Sequence, residues 1–209
     1  MRIISGTLKG KRITAPTNLP VRPTTDFAKE ALFNILNNEW YFDEITVLDL
    51  FSGIGSISLE FASRGAKKVT SVDNFYGCVK FLDETAKQLK LDDVISTVKS
   101  DVIKYLDKQP IKKFDIVFAD PPYDLDVETY KRIPNLVIEN QWLEEGGNLV
   151  LEHPSSISFE EHPNFVQHKK YGNVHFSFFE LTSIFLKYLT KFPPSSNHLL
   201  SITKFGIFL

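Results

Sequence analysis

Apolar runs of strand length alternate with helical patterns along most of this chain, and that alternation limits the folds open to it. Five such runs lie at 45–50, 69–72, 94–98, 113–119 and 149–151. Parallel strands joined by helices are covered on both faces, so they read as nearly continuous apolar segments. The sequence therefore predicts an α/β fold with a mostly parallel sheet between layers of helices.

Additional β-structure is expected at both ends of this pattern. Segments 165–166 and 174–179 flank Gly172-Asn173 and predict an antiparallel hairpin that closes the sheet. Segments 2–5 and 11–14 flank a glycine-containing turn and predict a smaller N-terminal hairpin. We expect residues 1–25 to form an N-terminal basic extension, 26–180 the α/β domain, and 181–209 a tail of unknown role and unclear order.

Two helices carry specific expectations. One should begin after Thr24 or Thr25 as N-cap and end near Asn38, with Phe27 on its apolar face. The other covers 127–138 and contains Pro134, which removes a backbone N–H and should kink or split it.

Four aspartates stand at the ends of successive strands: Asp49, Asp73, Asp101 and Asp120. Open α/β sheets bind ligands in the crevice beyond the carboxyl ends of their strands, so these side chains should surround one ligand. Like charges in one crevice are costly unless a cation or hydrogen-bond donors are present. Taken singly, Asp73 could be a strand-end cap and Asp101 a helix N-cap.

A glycine turn, Phe51-Ser52-Gly53-Ile54-Gly55, follows the first strand. A dinucleotide-binding turn needs a third glycine, where this chain has Ser58. A sulfonium cation with a ribose and an adenine suits the aspartates better than a pyrophosphate does, so S-adenosylmethionine is the predicted cofactor. The residues expected to bind it are Asp49, Phe51, Ser52, Gly53, Gly55, Asp73, Asn74, Asp101, Val102 and Asp120.

The tetrapeptide Asp120-Pro121-Pro122-Tyr123 follows the fourth strand and is the predicted catalytic segment. Prolines fix φ and carry no N–H, so this loop offers carbonyl and carboxylate acceptors in a rigid frame. The Tyr123 ring can stack on a base. These features suit a planar group with an exocyclic amine, although a simple Pro-Pro turn capped by an acid is the alternative.

The charge distribution separates the N-terminus from the rest of the chain. The net charge is −2, yet residues 1–25 contain five basic side chains and no acidic one. This asymmetry predicts a nucleic-acid contact there, made by Arg2, Lys9, Lys11, Arg12, Arg22 and Thr24. One cysteine, the lack of metal-ligand spacing and the lack of a long apolar segment predict a cytoplasmic protein without disulfide, metal or membrane span.

Together these motifs resemble the class I methyltransferases that modify exocyclic amines. The N-terminal segments 2–6, 22–26 and 29–36 are similar, more specifically, to the RsmD family of bacterial methyltransferases acting on guanine N2 of 16S ribosomal RNA. The resemblance covers roughly residues 1–180. It implies a Rossmann-like class I fold with a seven-stranded sheet, S-adenosylmethionine as donor, and a flipped guanine as acceptor.

The partner implied is 16S ribosomal RNA or the assembled small subunit, bound by a monomer. Two other functions remain open. A DNA adenine-N6 methyltransferase shares the loop chemistry but usually carries a separate target-recognition region. A non-catalytic RNA-binding assembly factor would keep the fold without needing Asp120 and Tyr123.

Overall fold

The structure of this protein is a computed structural model, and it describes residues 1–17, 19 and 24–181. Seven strands form one sheet: β1 (Thr46–Leu50), β2 (Lys68–Asp73), β3 (Ile95–Lys99), β4 (Phe114–Ala119), β5 (Leu143–His153), β6 (Phe165–Tyr171) and β7 (Val174–Glu180). Five α-helices accompany them: α1 (Asp26–Leu36), α2 (Ser56–Ser63), α3 (Tyr76–Gln88), α4 (Val102–Leu106) and α5 (Val127–Glu139). A 3-10 helix, Phe42–Glu44, precedes β1.

The strand order is β3-β2-β1-β4-β5-β7-β6. The strands β1 to β5 are mutually parallel, and β7 is antiparallel to both β5 and β6. The order reverses between β1 and β4, and that is where open α/β sheets place their ligand crevice. The predicted seven-stranded sheet with a closing antiparallel hairpin is therefore confirmed.

Two apolar clusters cover the two faces of the sheet. One includes Val47, Ile116 and Phe118 of the central strands with residues of α1, α2 and α3. The other includes Leu48, Val117 and Ala119 with residues of α4 and α5. Since neighbouring strand residues point to opposite faces, these clusters fix which way each strand-end side chain projects.

The N-terminal segment runs antiparallel to itself along α2. Arg2 and Arg12 form a single antiparallel bridge in place of two full strands. Buried Glu60 of α2 accepts hydrogen bonds from the backbone N–H groups of Ile4 and Ser5, at 2.8 and 3.0 Å. These hydrogen bonds anchor the segment to α2. The segment needs such support, because a short hairpin alone is only marginally stable.

Some local expectations differ from the structure. The helix α1 begins after Thr25, whose hydroxyl accepts from the Ala28 N–H, but Phe27 is 59% exposed while Phe33 is buried. The helix α5 passes through Pro134 without being split. Burial of Tyr130, Ile133 and Val137 against the sheet offsets the hydrogen bond that the proline removes.

Candidate active site

The glycine turn after β1 has the backbone that its sequence requires. Gly53 and Gly55 have φ angles of 52° and 79°, in the left-handed region that glycine enters freely. A Cβ at Gly55 would meet the Leu82 side chain at 2.3 Å, so α3 packs directly on the turn. Phe51 also has a positive φ, 59°, which costs energy in a residue with a side chain. The turn is therefore a strained, tightly packed segment at the carboxyl end of β1.

Asp73, at the end of β2, holds this turn in place. Its two carboxylate oxygens accept from the backbone N–H groups of Gly53 and Phe75, both at 2.8 Å. Each carboxylate oxygen can accept further hydrogen bonds, so ribose hydroxyls could still bind there. The strand-end cap and the cofactor ligand are compatible roles for the same side chain.

Asp49 lies buried beneath the turn. The Ser58 hydroxyl donates to its carboxylate, and the Ser58 and Ser71 hydroxyls are 2.7 Å apart. Burial raises the pKa of Asp49 to about 7, although the Ser58 hydrogen bond opposes the shift. Near neutral pH the Asp49 carboxyl is therefore balanced between its neutral and ionised forms, and a nearby cation would favour the ionised form.

The third strand end supplies an exposed helix cap. Asp101 accepts from the Lys104 N–H at 2.9 Å and starts α4, and Val102 is buried behind it. Asn74 is exposed next to Asp73. The cap uses only one carboxylate oxygen of Asp101, and the predicted contact of this residue with the cofactor stays a prediction.

The predicted catalytic loop is fixed from below by a buried tyrosine. The Tyr130 hydroxyl donates to the carbonyl oxygens of Pro121 and Pro122, at 3.0 and 3.2 Å. A carbonyl oxygen has two lone pairs, so Pro121 can still accept from a ligand. The Tyr123 side chain at the end of the loop is 55% exposed.

Asp120 is next to a second carboxyl group, Glu152. The strands β4 and β5 pair Ala119 with Leu151, so the following residues, Asp120 and Glu152, are neighbours across the sheet. Burial raises the pKa of the Asp120 carboxyl well above its ordinary value, and the nearby Glu152 and Asp49 raise it further. Burial likewise raises the pKa of Glu152 to about 7, against a hydrogen bond from Tyr123. Asp120 and Glu152 would repel each other when both are ionised, so the pair favours a ligand that brings hydrogen-bond donors.

Sequence reasoning assigned no role to Glu152 or to Tyr130. Glu152 could have been recognised as an acid at the end of the fifth strand, by the rule that identified the four aspartates. Tyr130 had no such signal, since its helical spacing is also that of a core side chain.

The predicted RNA-binding residues occupy two places. Arg2 lies beside the start of α1, where its Nε is 3.0 Å from Asp26. The turn with Lys9 and Lys11 lies toward the end of α2, where the Thr7 N–H donates to the Ser63 carbonyl at 2.7 Å. Arg12 pairs with Arg2 through the antiparallel backbone bridge. Thr24 is half-buried, and Arg22 lies outside the described residues. The α2 end of the segment is therefore remote from the catalytic loop.

A cavity of about 330 Å³ separates the N-terminal segment from the glycine turn. Its walls include Ile54 of the turn and, from the segment, Met1, Ile13, Pro16 and Leu19. Within the described part of the chain, no cluster of three or more potential metal ligands occurs and no helix has the length and apolarity to cross a bilayer.

Comparison with known proteins finds relatives that match most of the chain. The model of the family described as Conserved hypothetical protein 95 matches residues 1–180. The ribosomal RNA small subunit methyltransferase D of Buchnera aphidicola subsp. Baizongia pistaciae is 31% identical over 183 residues, which are 86% of this chain and 91% of that protein.

Solved structures agree with this relationship. A hypothetical protein of Thermus thermophilus superposes with a TM-score of 0.73 at 26% identity, covering 87% of this chain and 99% of that one. A 16S rRNA N2 methyltransferase of Thermus thermophilus, solved with AdoMet and guanosine, gives 0.62 at 22% identity over 78% of this chain and 45% of that one. The second likeness is one of fold, the class I methyltransferase fold. With the matched sequence, these findings mean that the chain belongs to the ribosomal RNA small subunit methyltransferase D family.

Proposed function

We propose that this chain transfers a methyl group from S-adenosylmethionine to the exocyclic N2 of a guanine in 16S ribosomal RNA. Membership in a family of methyltransferases makes it an enzyme of that class. The observation that carries the proposal is the rigid loop Asp120–Tyr123, held by Tyr130 next to the glycine turn and carrying a carboxylate beside an exposed aromatic ring.

The carboxyl edge of the sheet offers a fitting cofactor site. The Asp73 carboxylate is the acceptor that we propose for the ribose hydroxyls, and the glycines of the turn carry no side chain that would block close approach of a ligand to the backbone. Ser56, the first residue of α2, has a buried hydroxyl without a hydrogen-bond partner among the described residues. A buried polar atom of this kind is costly unless a ligand satisfies it, so Ser56 supports binding of a polar ligand at the turn.

Catalysis would come mainly from positioning. S-adenosylmethionine, when bound, supplies a methyl group on a sulfonium, which is a very good leaving group. The guanine N2 lone pair is delocalised into the ring, so acceptors that hold the N2 protons must turn it toward the methyl carbon. We propose Asp120 and the Pro121 carbonyl, which accepts a hydrogen bond from Tyr130, as these acceptors. Formation of the bond from N2 to the methyl carbon, as the carbon–sulfur bond broke, would leave N2 with one proton to lose, and the Asp120 carboxylate, whose pKa is raised chiefly by burial, would accept that proton.

The acceptor would be a guanine turned out of its RNA strand. The exposed Tyr123 ring offers a surface on which such a base can stack. Arg2 and Arg12, with Lys9, Lys11, Arg22 and Thr24, are proposed to contact RNA phosphates. The partner is 16S RNA or the assembled small subunit, and we expect a cytoplasmic monomer.

The test compares modified nucleotides of 16S RNA by mass spectrometry in strains with and without this gene. One N2-methylguanine should be missing without the gene and return when the purified protein and S-adenosylmethionine are added to small subunits from that strain. The Asp120→Ala protein should not restore it. A missing N6-methyladenine in DNA, with ribosomal RNA unchanged, would establish the adenine methyltransferase instead.

A further inference from the structure

Glu152 is a buried acid at the candidate active site, and its two carboxylate oxygens differ in their hydrogen bonding. It is 6% exposed, and its Oε1 accepts from the Tyr123 hydroxyl at 3.1 Å. Its Oε2 is buried and has no hydrogen-bond partner in the part of the chain that the structure describes. A buried carboxylate oxygen without a donor is costly, so the site is complementary to a ligand that brings one.

Glu152 and Asp120 project from the same face of the sheet. Phe118 and Val150 are paired across β4 and β5 and pack in one apolar cluster, on the side of α1 to α3. Because side-chain direction repeats every two residues, Asp120 and Glu152 also lie on that side, next to each other. A flat ligand held at Asp120 therefore presents its adjacent edge atom to Glu152.

The chemistry of the bases decides which edge fits two neighbouring acceptors. Guanine carries two adjacent donors on its Watson–Crick edge, the N2 amine and N1–H. Adenine and cytosine place a ring acceptor beside their exocyclic amine, and that lone pair would face the Glu152 carboxylate. Enzymes that flip a base read its Watson–Crick edge by hydrogen bonds of this kind.

We propose that Glu152 is a specificity-determining residue that accepts the N1–H of the target guanine through Oε2, beside the N2 amine held at Asp120. This inference rests on the proposed function and names how the base is chosen. Glu152 excludes adenine because an ionised carboxylate would meet an unprotonated ring nitrogen. Because the pKa of Glu152 is raised to about 7, a hydrogen-bond donor on the base would shift this carboxyl to its ionised form.

The test replaces the target guanine by 2-aminopurine, which keeps the N2 amine but has an unprotonated N1. A synthetic RNA containing the mapped target site is made with either base, reconstituted into small subunits where free RNA is not methylated, and assayed at pH 8. The natural enzyme should methylate 2-aminopurine with a kcat/KM at least tenfold below that for guanine, since a site built for a donor rejects an acceptor.

Glu152→Gln changes an acceptor into a group that can donate. Its guanine kcat/KM should fall at least tenfold, while the ratio of guanine to 2-aminopurine activity falls at least tenfold as well, because the amide N–H can donate to the unprotonated N1. Gln is isosteric and can still accept from Tyr123, so thermal unfolding should stay close to that of the natural protein. Glu144→Gln, an exposed change on the same strand, is the matched control and should alter neither value.

A second variant separates base reading from support of Tyr123. Tyr123→Phe removes the hydroxyl that Glu152 binds but keeps the ring, so it should retain the preference for guanine. An unchanged preference in Glu152→Gln, or a loss of preference in Tyr123→Phe equal to that in Glu152→Gln, would overturn the inference while leaving guanine methylation intact. Failure of the natural enzyme to methylate the guanine RNA would overturn the proposed function, and this inference with it.

Discussion

The hydroxyl of Tyr130, on α5, donates to the carbonyl of Pro121 in the catalytic loop at 3.0 Å, and Tyr130 itself is fully buried. The same hydroxyl reaches the Pro122 carbonyl at 3.2 Å. Tyr130 thus fixes the position of the catalytic loop relative to the carboxyl ends of the strands. Positioning of this kind matters because small displacements of a reacting group cost large factors in rate.

Tyr130→Phe should therefore lower kcat for guanine methylation by about tenfold, with cofactor affinity unchanged. The variant leaves two carbonyls short of a donor and should also lower the melting temperature by a few degrees, since an unmade buried hydrogen bond costs about 1–3 kcal/mol. Single-turnover kinetics and calorimetry measure the two effects. Tyr105→Phe on α4 is the control, and a normal kcat in Tyr130→Phe would remove the supporting role.

Asp120→Ala tests the catalytic carboxylate directly. Turnover should fall at least tenfold, because the N2 protons lose their acceptor, while cofactor affinity and the melting temperature stay nearly the same. Burial disfavours the charged form of Asp120, so its removal need not destabilise the fold. Should the variant instead melt lower but show normal activity per folded molecule, Asp120 would be only a turn cap.

The pH dependence follows from two coupled carboxyls whose pKa values are raised. Asp120 and Glu152 must be ionised to accept from guanine, so kcat/KM should be low when they are protonated and should rise as pH passes about 7, the pKa of Glu152. The charge of Glu152 is one cause of the raised Asp120 pKa. In Glu152→Gln the rise should therefore move to lower pH. A profile of kcat/KM from pH 5.5 to 9 checks this. If kcat/KM of Glu152→Gln rose at the same pH as that of the natural protein, the coupling between Asp120 and Glu152 would be contradicted.

Much of this arrangement could be predicted because strand and helix periodicities differ. The apolar runs that end next to Asp49, Asp73 and Asp120 predicted three strand ends, and residues 172–173 predicted the turn of the closing hairpin. The neighbour relation of Asp120 and Glu152 was not accessible, because it depends on which strands pair and in what register. Phe27 lay on a plausible apolar face of α1, but it is the second residue of the helix and is 59% exposed.

Asp73→Ala should weaken S-adenosylmethionine binding by about 1–3 kcal/mol through lost hydrogen bonds from ribose to a charged acceptor. The same change frees the N–H groups of Gly53 and Phe75, so the glycine turn should loosen and the melting temperature should fall. Isothermal calorimetry at several temperatures measures the affinity on folded protein. Asp107→Ala, an exposed acid at the end of α4, is the control; affinity that is unchanged in Asp73→Ala would remove Asp73 from the site.

RNA docking by the N-terminal segment is tested by replacing Lys9, Lys11 and Arg12 together with Gln. All three are exposed, and none forms an ion pair with another described residue under 4.0 Å. The triple variant should bind RNA more weakly, and its affinity should depend less on salt by up to about three charges, each contributing a slope of roughly 0.7–0.9. Cofactor affinity should not change, because the turn packs toward the far end of α2 from the catalytic loop.

The control for this experiment removes three exposed lysines from the amino ends of the strands, Lys67, Lys108 and Lys112, and should leave the salt slope nearly unaltered. If the N-terminal variant behaves like this control, docking must occur elsewhere. The structure then directs attention to Lys169 and Lys170 on β6, which are exposed and pair with Phe176 and His175, level with Glu152 and His153. Their double replacement by Gln should in that case flatten the salt dependence, because these lysines would then supply the positive charge that meets the phosphates.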